Sequence, residues 1–320
     1  MAGKNRQVGE QGIGMGKKAV ICYLLIVSCL LSCKTAPHTA LSEDSRFVPL
    51  EPGAFAYIFV DVQNAGPIIE QLQLNPDNNR QFRQMVERTQ SAAAAVYMPG
   101  NERVYQLAAW GKYPASRAKM ALGMNKNWKK QKSAHTGSGY WYSAKDRYSV
   151  ALNAGQVFVS SYWGTTPLDP FPSGQGTEIP DKFSAFSRGA PLSFWLENPG
   201  VIINQLLSNM GIPLELPAEQ FFAAVYPDNE SAGDSEEQLY TATMRIKVAG
   251  ATQARALVTI IGIARGFFLL GSNASGQNNT AMLASLLFAN PPVQDDDSLI
   301  IKTNTIRAGD IALLFRLFSI

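Results

Sequence analysis

A chain of 320 residues that is 46% hydrophobic and 17% charged can bury a sizeable core, which excludes a disordered segment and leaves room for two packed units. Its formal net charge of +3 is carried entirely before residue 33, by Lys4, Arg6, Lys17 and Lys18 against Glu10. The remainder is formally neutral, which argues against a nucleic-acid partner, because such a partner requires a basic surface.

The first predicted element is a secretion signal over residues 1–32. Lys17 and Lys18 precede an apolar run from Ala19 to Val27, short of the ~20 apolar residues that span a bilayer. Met15-Gly16-Lys17-Lys18 would itself open such a signal, so Met1 and Met15 are both candidate starts. The run ends Leu30-Leu31-Ser32-Cys33, the apolar-apolar-small-Cys pattern of a bacterial lipobox. Small residues admit the peptidase, and the thiol of Cys33 takes the diacylglycerol. Ile26-Val27-Ser28-Cys29 is a second candidate, but the polar stretch Lys34-Thr35-Ala36-Pro37-His38 favours Cys33. Cys22, Cys29 and Cys33 are the chain's three cysteines, so the body has no thiol for a disulfide or a metal. An exported, lipid-anchored protein is expected.

Residues 33–52 are polar, with Pro37, Pro49 and Pro52, and are expected to form a tether. Two α/β units should follow, over 53–168 and 191–320, separated by a linker with a short helix at 169–190. In the first unit Ala56-Tyr57-Ile58-Phe59-Val60 reads as a buried strand. Asn64-Ala65-Gly66-Pro67-Ile68-Ile69-Glu70-Gln71-Leu72 then supplies a capping Asn and a first-turn Pro for a helix. Ala94-Ala95-Val96-Tyr97 reads as strand, with a return strand from Val104 to Lys112 and a helix opening at Ala115.

Lys126-Asn127-Trp128-Lys129-Lys130-Gln131-Lys132, with Tyr140-Trp141-Tyr142, has two readings. Lys126, Trp128, Lys129, Lys130, Lys132 and Trp141 could form an interfacial patch, since lysines favour anionic headgroups and Trp favours the interface. Equally, this is a solvated hairpin whose aromatics face the core.

The second unit repeats the first. Leu192-Ser193-Phe194-Trp195-Leu196 and Asn198-Pro199-Gly200-Val201-Ile202-Ile203-Asn204-Gln205-Leu206 answer the first strand and helix. Ala223-Ala224-Val225-Tyr226 answers 94–97, Leu239 to Val248 is the return strand, and Ala251 opens a helix as Ala115 does. Asn153-Ala154-Gly155-Gln156 and Arg307-Ala308-Gly309-Asp310 are matched as closing hairpins, and Asp234-Ser235-Glu236-Glu237 as an inserted hairpin tip. The expected fold is α+β: two pseudo-repeated α/β units forming a mixed, largely antiparallel sheet covered by amphipathic helices in an α/β/α layering.

Titratable constellations are sparse. His38 lies in the tether and His135 in a loop, neither with a His or Cys partner at ligand spacing. No catalytic residue, metal or cofactor is therefore assigned, and a hydrolase centred on His135 is the weakest reading. Asp295-Asp296-Asp297 reads as a solvated turn before Leu299-Ile300-Ile301 rather than a cation site.

What the helices do carry is long aliphatics: Ile202, Ile203, Leu206 and Leu207; Leu257, Ile260 and Ile261; Met282, Leu283, Leu286 and Leu287. Any one such stripe is ordinarily core. The sharper reading is that they enclose an apolar cavity or lie in a membrane interface.

The lipobox Cys33, the tether running into Phe47-Val48-Pro49-Leu50-Glu51-Pro52-Gly53, the α/β body and the amphipathic helices together resemble a family of treponemal outer-membrane lipoproteins. The resemblance is one of architecture over most of residues 33–320. It implies a layered α/β/α fold, placement on the periplasmic side of the outer membrane, and a non-catalytic role in binding lipid or perturbing permeability. The alternative is a structural or scaffold subunit whose doubled body docks an envelope protein partner.

Overall fold

The structure is a computed structural model that describes residues 46–72, 79–100, 102–174, 176–200, 204, 208, 217–228, 238–271 and 289–318. In chain order the elements are β1 (Ala56–Asp61), α1 (Gly66–Gln71), α2 (Asn79–Arg88), β2 (Thr89–Tyr97), β3 (Val104–Gly111), α3 (Ala115–Met124), β4 (Lys129–Lys132), β5 (Gly139–Ser143), β6 (Tyr148–Asn153), β7 (Gln156–Trp163), β8 (Thr166–Pro167), α4 (Asp181–Phe186), β9 (Leu192–Glu197), β10 (Ala218–Pro227), β11 (Leu239–Val248), α5 (Ala251–Gly271), β12 (Val293–Asp295), β13 (Ser298–Lys302), β14 (Ile306–Arg307) and α6 (Ala308–Phe318).

Among the described residues the strands form one 14-stranded sheet in the order β12-β13-β11-β10-β9-β1-β2-β3-β7-β6-β5-β4, with β14 beside β11 and β8 beside β7. The two units are thus halves of one continuous sheet, joined where β1 and β9 pair antiparallel. Ile58 lies opposite Phe194, and Tyr57↔Trp195 is mirrored by Phe59↔Ser193, so a pseudo-twofold passes through that pair. The register repeats outward. Ala56↔Val96 has its counterpart in Leu192↔Val225, Val96↔Tyr105 in Val225↔Ala242, and Leu107↔Val159 in Met244↔Ile301. Because side chains alternate across a strand, a one-residue slip would exchange the two faces; matching register at every step means that both units present equivalent positions to each face.

The closing hairpins are an exception to the sequence-based pairing. Asn153–Gln156 is the turn between β6 and β7, but Arg307 ends β14 and 308–310 open α6 directly after it. The true counterpart is the acidic turn, where Asp295↔Ser298 repeats Asn153↔Gln156. The predicted N-cap also differs: α1 starts after Ala65 with no side-chain cap. Asn64 instead donates its Nδ2 to Asp61 at 2.7 Å in the preceding turn, while Pro67 does occupy the first turn.

One side of the sheet, the helix face, is closed by α3 over the first unit and α5 over the second. Ala118 and Leu122 pack with Ala109, Val150 and Leu152; Ala254, Leu257 and Ile261 pack with Met244, Ile246 and Leu299. Between them α1 and α6 cover Leu192, Val225 and Tyr240. The other side, the strap face, is closed mainly by irregular chain. Phe47 and Leu50 are fully buried there with Tyr57, Trp195, Phe171 and, from α4, Phe183. Tyr57 stacks on Trp195 with ring centroids 4.8 Å apart, and Phe183 lies 5.3 Å from Phe222. The alanines of β2 at 93 and 95 leave the depth this aromatic layer needs.

The tether boundary is corrected accordingly: residues 46–52 belong to the body. Three hydroxyls converge on the Glu51 carbonyl, donated by Tyr97 at 2.6 Å, Thr177 at 3.0 Å and Tyr57 at 3.1 Å. Burial, followed by the neighbouring Tyr57 and Glu51, raises the Tyr97 phenol well above its usual pKa, so it remains a donor at ordinary pH. Gly176, at φ +57°, crosses so close to this strap that a Cβ there would lie 2.6 Å from the Val48 carbonyl oxygen. The predicted linker is therefore a packed part of the strap face.

Candidate membrane-facing surface

The aliphatic candidates divide into three groups. Leu257 and Ile261 are buried against the sheet, whereas Ile260, one position away, is 40% exposed. Ile202, Ile203, Leu206 and Leu207, like Met282, Leu283, Leu286 and Leu287, lie outside the described residues, as do Cys33 and the acidic loop at 234–237. On α5 the outward stripe continues to Ile263, which is 57% exposed and which periodicity did not single out.

The counterpart helix behaves alike. α3 buries Ala118 and Leu122 and turns Met120 (66% exposed) and Met124 (79% exposed) outward. Ala115 and Ala251 open the two helices at equivalent places, which puts Met124 in the position of Ile260. Both helices cover the same face of one sheet, so four large apolar side chains stand on a common outer surface. Soluble surfaces carry scattered apolar residues, but four on one face, two of them at equivalent helix positions, are the more informative observation. Among the described residues no helix is long and apolar enough to cross a membrane.

The predicted interfacial patch is split by register. Trp141 pairs with Lys130 and Val150, which directs its ring to the helix face, where it is buried with Trp128 beneath α3. Neither tryptophan reaches the surface, because a large ring in the pleat beside an apolar helix contributes more stability buried than exposed. Lys126, Lys129, Lys130 and Lys132 are exposed, with Lys130 Nζ 5.6 Å from the Trp141 ring centroid. By strand alternation Lys130 and Lys132 share the helix face with Trp141 while Lys129 points to the strap face, so Lys130 and Lys132, with Lys119 on α3, supply exposed basic side chains on the helix face. On the outermost strand β4 such lysines also block edge-to-edge pairing with another sheet.

The acidic turn is an ion-paired structural feature. Asp295 meets Arg245 at 2.9 Å and Asp297 meets Lys182 at 3.4 Å; among the described residues no cluster of His, Cys, Asp and Glu could hold a metal. His135 does share a cleft with Ser160 and Asp169, the residue types of a hydrolytic triad. Their hydrogen bonds are structural, however. The Ser160 hydroxyl donates to the Asp169 backbone carbonyl at 3.4 Å, and the Asp169 carboxylate accepts from the Ala134 and Phe171 N–H groups at 3.1 and 3.0 Å. A triad needs nucleophile, base and orienting acid bonded in series, and these bonds run to backbone.

Comparison with known proteins agrees with this architecture. The model of the outer membrane-associated lipoprotein TP0453 family matches residues 45–163, the strap and first unit. Solved structures of TP0453 share the fold over both units. Crystal form III is 17% identical with a TM-score of 0.55, covering 83% of this chain and 97% of that one. Form IV is 16% identical with a TM-score of 0.54, covering 86% and 98%, and form I is 16% identical with a TM-score of 0.53, covering 84% and 96%. Among curated protein sequences, none matches the chain. The resemblance read from the lipobox, tether and layered body is to the same kind of protein, an outer-membrane lipoprotein with an α+β sheet.

Proposed function

We propose that the protein is a non-catalytic envelope lipoprotein, anchored through acyl chains on Cys33 to the periplasmic side of the outer membrane, whose helix face rests on the lipid surface. The observation that carries this reading is the set of four exposed apolar side chains, Met120, Met124, Ile260 and Ile263, on one face, with Met124 and Ile260 at equivalent positions of the two units. Methionine and isoleucine in that setting gain by leaving water for the acyl boundary, at roughly 25 cal/mol per Å² of apolar area. The lysines on that face add about 1 kcal/mol for each residue close to an anionic surface. Neither contribution is large alone. An acyl anchor holds the body at high effective concentration over the bilayer, so weak contacts become occupied. The matching family is one of outer membrane-associated lipoproteins, which supports both the anchor and the destination. The aliphatic stretches at 202–207 and 282–287 belong to the same proposal on sequence grounds alone.

Mass spectrometry of the mature N-terminus reads the anchor, with diacylglycerol on Cys33 expected. The second contact is read by flotation of the unacylated Cys33→Ser chain with phosphatidylglycerol vesicles at low salt. Co-flotation is expected, with about a tenfold loss for the combined Met120→Asp, Met124→Asp, Ile260→Asp and Ile263→Asp variant at unchanged circular dichroism. A Cys33→Ser chain that never floats, or a folded quadruple variant that floats equally well, refutes the helix-face contact.

A further inference from the structure

The two units differ in how one end of the helix face is closed. In the second unit Val225 and Ala242 lie beneath α6, packed with Ile306, Ala308 and Ile311, and Ala242 is 7% exposed. The register places Val96 and Tyr105 at the equivalent positions of the first unit. There β7 runs through a short hairpin into β8, with no helix in the place of α6, and Tyr105 is 45% exposed.

Strand alternation assembles an aromatic group at this unroofed end. Val96 lies opposite Tyr105, and Tyr148 opposite Ser161, whose hydroxyl accepts from the Tyr105 N–H at 2.8 Å. These four residues form one row across β2, β3, β7 and β6 on the helix face. Trp163, two residues beyond Ser161 on β7, points the same way and is 55% exposed. Tyr148 packs at the margin of the cluster that α3 buries with Leu122, so the group borders the helix that carries Met120 and Met124. Burial, followed by the neighbouring Tyr105, raises the Tyr148 phenol above its usual pKa, so it is neutral at ordinary pH.

The side chains select the occupant. A covering helix needs depth: Ala242 leaves it for α6, whereas Tyr105 fills the equivalent space with its own ring. β2, β3, β6 and β7 are each paired on both sides, so an added strand has no free edge to join. Tyrosine and tryptophan join an apolar ring to one polar atom, the combination enriched where acyl chains meet headgroups. The carboxylates of this end are already engaged, Glu102 by the Gly164 N–H and Asp146 by the Ser143 hydroxyl, both at 2.7 Å. Lys145 stands exposed beside them, as an anionic headgroup requires. The thirteen residues from Lys34 to Arg46 can extend ~45 Å, several times the ~10 Å between packed layers, so an anchor on Cys33 leaves this end free to reach the bilayer. We infer that Tyr105, Tyr148 and Trp163 are an interfacial aromatic anchor that seats the unroofed end of the first unit at the headgroup level of an anionic lipid surface. This rests on the helix-face contact proposed above and adds the sheet itself as a second point of contact.

Of the five tryptophans only Trp163 is exposed, so its fluorescence reports on this end. The unacylated Cys33→Ser chain is mixed with phosphatidylglycerol vesicles, with and without brominated acyl chains, and its Trp163→Phe variant supplies the signal of the four buried rings. On binding, a blue shift of the Trp163 emission, quenching by brominated lipid and about a tenfold loss of acrylamide quenching are expected. The combined Tyr105→Ala and Trp163→Ala variant should float about tenfold less well. Co-flotation with Trp163 still open to acrylamide overturns the aromatic anchor and leaves the helix-face contact standing; absence of flotation removes both. Protection of Trp163 that grows with protein concentration in the absence of vesicles overturns the anchor in favour of a second copy of the chain. A combined variant that is folded by circular dichroism and floats like its parent overturns it as well; if that variant fails to fold, the Trp163 fluorescence of the parent decides.

Discussion

The first and second units share strand pairing residue for residue, yet they present different surfaces. In the first, α3 is ten residues long, its large exposed apolar side chains are methionines, and the sequence continues into a basic strand. In the second, α5 runs to twenty-one residues and its large exposed apolar side chains are isoleucines. On the strap face the difference is larger. The first unit holds Gln106 and Ser160 side by side under a strap pinned to Glu51. The second holds Thr243 beside Lys302, with Arg245 and Lys247 meeting Asp295 and Glu219. The tyrosines at equivalent places keep one shared habit, each donating its hydroxyl to a backbone carbonyl of the covering chain: Tyr97 to Glu51, Tyr226 to Phe186. Pairing is constrained by a backbone ladder and by the alternation of buried faces, so a duplicated sheet keeps it. Positions whose side chains meet ligand, lipid or water are released from that constraint and diverge.

The largest expected effect tests whether the units are thermodynamically one. Leu122→Ala in the first unit and Leu257→Ala in the second each empty a buried site and should cost about 2–5 kcal/mol. Because β1 and β9 continue one sheet, each should lower the same single urea midpoint; two separated transitions would divide the units. Ile260→Ala, on the outward side of the same helix as Leu257, should move that midpoint by under about 0.5 kcal/mol, and a loss comparable to that of Leu257→Ala would place Ile260 in the core. Next in size is Gly176→Ala, which puts a Cβ against the Val48 carbonyl at a positive φ and should destabilise by about 1–3 kcal/mol. An unchanged midpoint would mean that the strap is not held as tightly as the aromatic layer beneath it indicates.

A smaller effect than that of Gly176→Ala concerns the acidic turn that only the second unit has. Burial pushes the Asp297 carboxyl up, but the Ser298 hydroxyl, Lys182 and Lys247 outweigh it, and the pKa is lowered overall. A depressed carboxylate stabilises the fold above its unfolded value near about 3.9, and that stabilisation is lost as pH falls through the lower folded value. The pair with Lys182 is largely solvated, so Asp297→Asn should cost no more than about 1 kcal/mol at pH 7. Denaturation of both proteins at pH 7 and pH 2 should show the difference shrinking at the acid end; a difference that grows would reverse the assigned sign.

Much of the fold is readable before any coordinates. The matched strings at 94–97 and 223–226, and the helix starts at Ala115 and Ala251, identify the repeat because buried strands and helix faces leave periodic apolar patterns. Periodicity fails at the edges of an arc. Leu257, Ile260 and Ile261 fall on one side of a helical wheel, and only the tilt of α5 on β11 and β13 decides that Ile260 is outside. The segment 46–52 reads as tether from its prolines and polar character; Phe47 and Leu50 are too few to announce a packed strap. The aromatic end is invisible in the sequence, since Tyr105, Tyr148 and Trp163 belong to three separate strands without a shared spacing.

The amino-acid sequence by itself determined the repeat and the α+β class, because both rest on the period of buried side chains. Tertiary structure alone decided that the two units are one sheet, that Trp128 and Trp141 are core while Met120 and Met124 are surface, and that Tyr105 and Trp163 stand unroofed. Those outcomes depend on which distant strand supplies the neighbouring backbone, and a pairing partner far along the chain leaves no mark in the residues around it.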